Sequence, residues 1–218
     1  MERILEPEAM DTAEEAEGYD SMDHKVPNAN FVSRLFELGA KGRMLDLGTG
    51  PAHMPIMICG LREEVTVVGL DLAENMLRLA ATNVERSGFG ERIELVLGDA
   101  KDVELESQSF DAVFSNTILH HIPDPRPFLR EALRLLKPGG VLFIRDLYRP
   151  ESVERIDELV EMHSGDANDY QRALFGASLN AAFTQNELRG IADECGLQHA
   201  EIVIDSDRHM SLQIRAMA

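Results

Sequence analysis

The chain has 218 residues, of which 44% are hydrophobic, and a formal net charge of −18 at pH 7. This length fits one domain with a well-buried core. The acidity disfavours a nucleic-acid partner, because proteins that bind nucleic acids present basic side chains to the phosphates. There is no apolar stretch of the ~20 residues that a membrane-spanning helix needs, and the acidic N-terminus does not resemble a signal peptide. We therefore expect a cytoplasmic protein without stable membrane association.

Residues 1–27 are predicted to form an N-terminal arm or lid. Within residues 1–23, nine carboxylates accompany a single basic residue, Arg3. Such a charge run is typical of a solvated segment. Tyr19 and the Met and His residues near it favour instead a lid that folds over a ligand, because disordered tails are poor in such side chains. A first helix is predicted near residues 28–39.

The next segment, residues 44–50, reads Met-Leu-Asp-Leu-Gly-Thr-Gly and predicts a strand over residues 43–47 that ends in a glycine bend. Gly48 and Gly50 allow a ligand to approach the backbone closely. A helix predicted near residues 52–60 adds unpaired N–H groups. Asp71 ends a second apolar run, 21 residues after Gly50, where a carboxylate can bind a ribose diol. The pattern predicts a site for a nucleotide-like ligand.

The residues around the bend also indicate which ligand binds there. A dinucleotide fingerprint requires a third glycine at the position that His53 occupies. Asp46 would repel a pyrophosphate but suits a positively charged amino group. S-adenosyl-L-methionine has such a group, a ribose and an adenine, and no phosphate. The sequence therefore predicts S-adenosyl-L-methionine as cofactor and S-adenosyl-L-homocysteine as product.

Strands and helices continue to alternate along the rest of the chain, which predicts a doubly wound α/β sheet. Residues 137–140, Lys-Pro-Gly-Gly, are predicted to end a helix. Residues 164–183 look irregular and polar, and we expect the acceptor pocket there. Thr184 to Glu187 form a predicted capping box. The remaining strands are predicted near residues 65–70, 92–97, 110–115, 140–146, 198–204 and 208–216, and the helices near 73–87, 126–136, 151–163 and 185–195.

Four blocks of this sequence resemble the class I S-adenosylmethionine-dependent methyltransferases. They comprise residues 44–50, residues 68–76, residues 98–100, and residues 110–121 with their continuation at 136–144. The resemblance implies a Rossmann-like, doubly wound α/β fold: a seven-stranded, mostly parallel sheet with the last strand antiparallel and helices on both faces. It further implies that residues 28–218 form a single methyltransferase domain, with residues 151–183 as an insertion on the acceptor side.

The resemblance also implies a set of cofactor-binding residues. Asp99 could instead be a turn residue, and Met76 could simply pack in the core. The residues implied are Tyr19, Asp46, Gly48, Thr49, Gly50, Asp71, Leu72, Met76, Asp99, Ala100, Ser115 and Asn116.

Catalysis in such a site consists mostly of holding an acceptor in line behind the methyl group, and a general base is optional. The candidates for proton transfer or acceptor orientation are His120, His121, Tyr148 and His209. A structural role for the histidines stays open, as does an ion-pair role for Arg145, Asp146 and Arg149.

No metal is expected, because adjacent histidines cannot face one ion from a helix and no Cys-x-x-Cys spacing occurs. Cys59 and Cys195 are expected to be reduced packing thiols. We predict a small-molecule methyl acceptor. The alternatives are a tRNA or protein methyltransferase and a non-catalytic S-adenosylmethionine-binding protein. The sequence does not decide the oligomeric state, and a homodimer stays open.

Overall fold

The computed structural model describes residues 1–6, 12, 14, 16 and 25–217. Within this part of the chain the strands form one seven-stranded sheet in the order β3-β2-β1-β4-β5-β7-β6. All pairs of neighbouring strands are parallel except the two that involve β7. The strands are β1 (Arg43–Leu47), β2 (Thr66–Asp71), β3 (Ile93–Leu97), β4 (Phe110–Asn116), β5 (Leu136–Leu147), β6 (Glu201–Ile204) and β7 (His209–Ile214).

Helices cover both faces of this sheet, because neighbouring strand residues point to opposite sides. Met44 contributes to a core with the helices that precede β4, while Leu45 contributes to a core with helices that follow it. The predicted fold is thereby confirmed. The helices are α1 (Lys25–Glu37), α2 (His53–Leu61), α3 (Glu74–Ser87), α4 (Arg126–Leu135), α5 (Val153–Ser164), α6 (Asp169–Ala181) and α7 (Gln185–Glu194), with a 3-10 turn at Leu119–His121.

Two local predictions differ from the structure. Residues 164–183 are not irregular: most of them form α6, whose N-terminus is closed by a capping box between Asn168 and Gln171. Residues 137–140 do follow the end of a helix, but they already belong to β5, where the register against β4 shifts and Gly139 has a φ of 79°. The capping box predicted at Thr184 and Glu187 is confirmed.

The hairpin formed by α5 and α6 lies beyond the end of β5. Its small core contains Leu147 from the strand, Ile156 and Leu159 from α5, and Leu179 from α6. None of the described helices is both long and apolar enough to cross a membrane. Cys59 and Cys195 are buried and do not form a disulfide.

Candidate active site

The glycine bend after β1 is tied to the neighbouring strand by backbone hydrogen bonds. The N–H groups of Gly48 and Thr49 both donate to the carbonyl oxygen of Leu70, at 2.8 and 3.0 Å. Gly48 has a φ of 78°, and a Cβ added there would lie 2.5 Å from Cγ2 of Ile118. Glycine is therefore required at this position for both its conformation and the space it leaves.

Asp71 holds the same bend from the end of β2. Its Oδ2 accepts a hydrogen bond from the Gly50 N–H at 2.7 Å, and its Oδ1 accepts one from the Ala73 N–H at 2.9 Å. A carboxylate has about four acceptor positions, so one carboxylate can hold the bend and accept from a ligand hydroxyl at the same time. Asp71 thus shapes the bend as well as offering the carboxylate that the sequence analysis assigns to a ribose.

Three buried polar atoms at this end of the sheet have no hydrogen-bond partner within the described chain. Oδ2 of Asp46, whose residue is only 1% exposed, and Oδ1 of Asn116 can only accept, whereas Oγ1 of Thr49 can also donate. Burial raises the pKa of Asp46 to about 7; the neighbouring Thr49 hydroxyl opposes this shift, and the Asp71 charge adds a smaller upward contribution. Because unpaired buried acceptors are costly, the Asp46 and Asn116 oxygens favour a ligand that brings hydrogen-bond donors.

These groups open into one cavity at the carboxyl ends of β1, β2 and β4, where open α/β sheets bind ligands. Most of the cofactor residues implied by the resemblance line it, together with His121. The lining residues that the sequence analysis named are Asp46, Gly48, Thr49, Gly50, Asp71, Leu72, Met76, Asp99, Ala100, Asn116 and His121.

The other implied cofactor residues have different positions. Ser115 is buried, is not part of the lining, and donates its hydroxyl to the Leu47 carbonyl at 2.8 Å. Asp99 lines the cavity but also accepts the Lys101 N–H, as a turn residue would, and pairs with the Lys101 ammonium at 3.0 Å. Tyr19 lies outside the described residues.

His120 is buried, does not line the cavity, and has a carboxylate near each of its ring nitrogens. Nδ1 lies 2.6 Å from Oδ1 of Asp146, and Nε2 lies 3.3 Å from Oε1 of Glu6. Burial alone would lower the pKa of His120, but Asp146 and then Glu6 raise it to about 9. His120 is therefore protonated at neutral pH and holds its two carboxylate neighbours together.

Tyr148 and His209 do not line the cavity. The Tyr148 hydroxyl donates to the Asp207 carbonyl at 2.9 Å. His209 is buried opposite Leu147 in the sheet, with the Ser206 hydroxyl 3.0 Å from its Nδ1. Burial, and then the charges of Arg145 and Arg208, lower its pKa to about 3, so this imidazole is neutral.

Glu6, His120 and His121 form a group that the sequence analysis did not anticipate. One potential ligand atom from each lies within 4.8 Å of the others, which is a spacing that a metal ion could use. The two histidines share a 3-10 turn, which brings their rings to 4.2 Å apart. Adjacent histidines in a 3-10 turn can face one ion, unlike adjacent histidines in an α-helix, but hydrogen bonds to Glu6 also account for this spacing.

Several residues that line the cavity are not among those that the sequence predicts. Asn28 of α1, Lys101 after β3 and Ile118 before the 3-10 turn all line the cavity. Thr117 has a φ of 59°, a conformation that non-glycine residues rarely adopt and that often marks functional sites. Asn28 lies outside every motif that predicts the site, whereas Lys101, Thr117 and Ile118 lie within two residues of positions that the resemblance implies.

Known methyltransferases are similar to this chain in sequence and in fold. A family model described as "Methyltransferase domain" matches residues 38–196. Arsenite methyltransferase of Aquipseudomonas alcaligenes is 30% identical over 184 residues, covering 81% of this chain and 49% of that protein. Demethylmenaquinone methyltransferase of Bacillus pumilus is 31% identical, covering 55% and 51%. The crystal structure of a candidate S-adenosylmethionine-dependent methyltransferase from Methanococcus maripaludis aligns with a TM-score of 0.74 at 19% identity, covering 100% and 98%.

The sheet order, the glycine bend and the acidic residues at the strand ends define a Rossmann-like domain. The family match spans most of the chain, so the chain belongs to the methyltransferase domain family, in the class I S-adenosylmethionine-dependent group. It spans about half the length of the curated relatives it matches.

Proposed function

We propose that this chain transfers the methyl group of S-adenosylmethionine to a small-molecule acceptor. The observation that carries the proposal is the pair of buried acceptors, Oδ2 of Asp46 and Oδ1 of Asn116, without partners in the described chain. The ammonium of the methionine moiety offers three N–H donors. It would satisfy both oxygens and neutralise the Asp46 charge, which a pyrophosphate could not do.

The rest of the cavity fits the other parts of the same cofactor. Gly50 leaves open space, since an added Cβ there has no described atom within 4 Å. Asp71 would accept hydrogen bonds from the ribose hydroxyls. Leu72 and Met76 would flank the adenine, and Asp99 would accept from its amino group. When bound, the cofactor supplies an activated methyl group, and the chain's task is to hold an acceptor in line with it.

The acceptor would approach from the side of the cavity formed by Ile118, His121 and Ile122. We propose a small molecule because the relatives' names specify arsenite and demethylmenaquinone. The net charge of −18 also disfavours tRNA. Residues 151–183, now seen as the α5–α6 hairpin, are proposed as the acceptor-side insertion of a single domain.

Calorimetry with S-adenosylmethionine, S-adenosylhomocysteine and NAD tests this proposal directly. We expect binding of the first two compounds, and Asp46→Asn should weaken S-adenosylmethionine about 30-fold through the loss of about 2 kcal/mol from a charged hydrogen bond. Asp111→Asn is the matched control, because Asp111 pairs with Lys137 outside the cavity. Binding of NAD without affinity for either adenosyl compound would contradict the proposal.

Turnover requires a second measurement. The protein is incubated with S-adenosylmethionine and a panel of arsenite, quinol, phenol, thiol and amine acceptors, and S-adenosylhomocysteine is quantified by mass spectrometry. We expect release of S-adenosylhomocysteine with at least one small acceptor. Tight cofactor binding with no release for any member of the panel would favour the non-catalytic binding protein.

A further inference from the structure

The chain makes a strained turn where it leaves β4 beside the cofactor cavity. Thr117, the residue after the strand, has a φ of 59°. This left-handed conformation is unfavourable for any residue with a Cβ, and it is an outlier for a β-branched one. It persists only where the surrounding structure holds it, and such residues cluster at functional sites. Thr117 also lines the cavity, which links its strain to the site.

Two hydrogen bonds fix the peptide group between Asn116 and Thr117. Its N–H donates to the Arg145 carbonyl at 2.9 Å, at the end of the parallel ladder between β4 and β5. Its carbonyl oxygen accepts a hydrogen bond from the Thr117 hydroxyl at 2.7 Å. Both polar groups of this peptide are therefore satisfied, and only the second bond depends on a side chain.

The residues on either side of this peptide form part of the cavity wall. Asn116 precedes it, and Oδ1 of Asn116 is buried without a partner in the described chain. Ile118 follows it, and its Cγ2 lies only 2.5 Å from the position that a Cβ of Gly48 would take. A different φ at Thr117 would direct Ile118 away from the glycine bend. Rotation of the peptide would also change the backbone conformation on which the Asn116 rotamer depends.

A glycine at position 117 would adopt the same φ without strain, but it would lack the hydroxyl. The Asn116 carbonyl would then lose its bond to the side chain. Glycine also allows many other conformations, so the turn would no longer be unique. The threonine therefore lowers the stability of the fold and fixes one conformation of the turn. Strain at a ligand site can serve pre-organisation in this way.

We propose that Thr117 is a positioning residue that fixes Asn116, so that Oδ1 of Asn116 meets the ammonium of S-adenosylmethionine, and that keeps Ile118 against the glycine bend. This proposal rests on the proposed function, because the ammonium belongs to that cofactor. The Thr117 hydroxyl acts through its bond to the Asn116 carbonyl and not through a contact with the cofactor.

Calorimetry with two ligands separates this role from a general effect on the fold. S-adenosylhomocysteine has the amino-acid end, whereas 5′-methylthioadenosine has the same nucleoside and a thioether but no ammonium. Thr117→Val keeps the β-branched shape without the hydroxyl, and Thr117→Ser keeps the hydroxyl. We expect Thr117→Val and Thr117→Gly to weaken S-adenosylhomocysteine about tenfold, part of what a charged hydrogen bond contributes, and to leave 5′-methylthioadenosine unchanged. Thr117→Ser should bind both ligands as the wild type does.

Gln108→Gly is the matched control for relief of backbone strain. Gln108 also has a positive φ, of 53°, and its N–H donates to the Arg134 carbonyl at 2.9 Å, but it does not line the cofactor cavity. This substitution should leave the affinity for both ligands at the wild-type level. If it weakened S-adenosylhomocysteine as much as Thr117→Gly does, the loss would come from the fold as a whole and the proposal would be overturned.

Crystal structures without ligand test the turn itself. We expect a positive φ at Thr117 in the wild type, and in Thr117→Gly a rotated peptide and a displaced Asn116 side chain. Unchanged positions of residues 116–118 in Thr117→Gly would overturn the proposal. So would wild-type affinity for S-adenosylhomocysteine in Thr117→Val and Thr117→Gly, or an equal loss for both ligands. If the wild type binds neither ligand, the proposed function fails, while the structures still decide whether Thr117 fixes Asn116.

Discussion

At Asp46, folding favours the protonated carboxyl group, whereas binding of a cationic ligand favours the ionised one. The carboxyl group is buried at the end of β1 beside another carboxylate, which raises its pKa to about 7. Its folded pKa lies above its ordinary value, so the stability that this group contributes is greatest in acid and falls as pH rises towards 7. A cationic ligand reverses the preference, because it favours the ionised form.

Cofactor binding should therefore release a proton through Asp46. At pH 6 the free carboxyl is mostly protonated, and the ammonium of S-adenosylmethionine requires it ionised. Affinity should rise with pH up to about 7 and then level off. Calorimetry at pH 6 in buffers of different ionisation enthalpy should show release of nearly one proton per cofactor bound.

The same measurement on Asp46→Asn shows whether Asp46 is the source of the released proton. The other titratable groups lining the cavity are His53, Asp71, Asp99, Lys101 and His121, and they remain in the variant. Release should fall close to zero if Asp46 is its source. Equal release in the two proteins would assign the proton to one of those other groups.

A glycine can be needed for its positive φ or because a Cβ would collide with a neighbouring atom. Three glycines of this chain distinguish these two needs. Gly48, Gly50 and Gly88 all have positive φ, at 78°, 52° and 76°. An added Cβ collides with Ile118 at Gly48, but it meets no described atom within 4 Å at Gly50 or at Gly88. Gly50 lines the cavity, whereas Gly88 caps the end of α3 away from it.

Alanine substitutions at these three glycines should separate fold from binding. Gly88→Ala should cost about 1 kcal/mol of unfolding free energy, from backbone strain alone, and leave cofactor affinity unchanged. Gly50→Ala should cost a similar amount but weaken S-adenosylmethionine tenfold or more, because its Cβ occupies ligand space. Gly48→Ala should cost about 3 kcal/mol through strain and overpacking.

Chemical denaturation and calorimetry measure the two effects separately. Comparable affinities for the Gly50→Ala and Gly88→Ala proteins would mean that the cofactor does not approach the bend closely. Equal stabilities of Gly48→Ala and Gly88→Ala would mean that Ile118 can move aside at no cost.

How far the sequence predicts each element depends on whether its signal is local. The bend at Gly48 and the capping box at Thr184 are set by neighbouring residues, and both could be predicted. The helix α6 could not, because its polar composition hides an apolar side that appears only against α5. Its Leu179 packs with Ile156 and Leu159 there. For the same reason, cavity residues at the strand ends could be predicted from the sequence, whereas Asn28, which comes from the distant helix α1, could not.

The contacts between the N-terminal segment and the rest of the domain also have no local sequence signal. Arg3 and His120 are 117 positions apart in sequence, yet the Arg3 guanidinium donates to the His120 and Ile122 carbonyls at 2.9 Å each. It also donates to the Ala181 carbonyl at 2.5 Å and lies 3.7 Å from the centre of the Phe183 ring. One residue thus joins the arm, the 3-10 turn and the end of α6.

Arg3→Ala should increase the mobility of both the 3-10 turn and the end of α6. Hydrogen bonds to a charged donor each contribute about 1.5–3 kcal/mol when buried, but Arg3 is only partly buried and neighbouring water will replace part of that contribution. We therefore expect a loss of about 1–2 kcal/mol in unfolding free energy. Hydrogen–deuterium exchange should rise over residues 118–123 and 178–183 and stay unchanged in β1 and β2.

The matched control is Arg62→Ala. Arg62 also stacks on an aromatic ring, that of Phe36 at 4.5 Å, and donates to a backbone carbonyl, but it follows α2 and none of these contacts involves residues 1–6. It should leave exchange at residues 118–123 and 178–183 at the wild-type level. If Arg3→Ala also leaves exchange there unchanged, the 3-10 turn and α6 keep their order without the arm. The contacts of Arg3 would then contribute nothing to the order of these two segments.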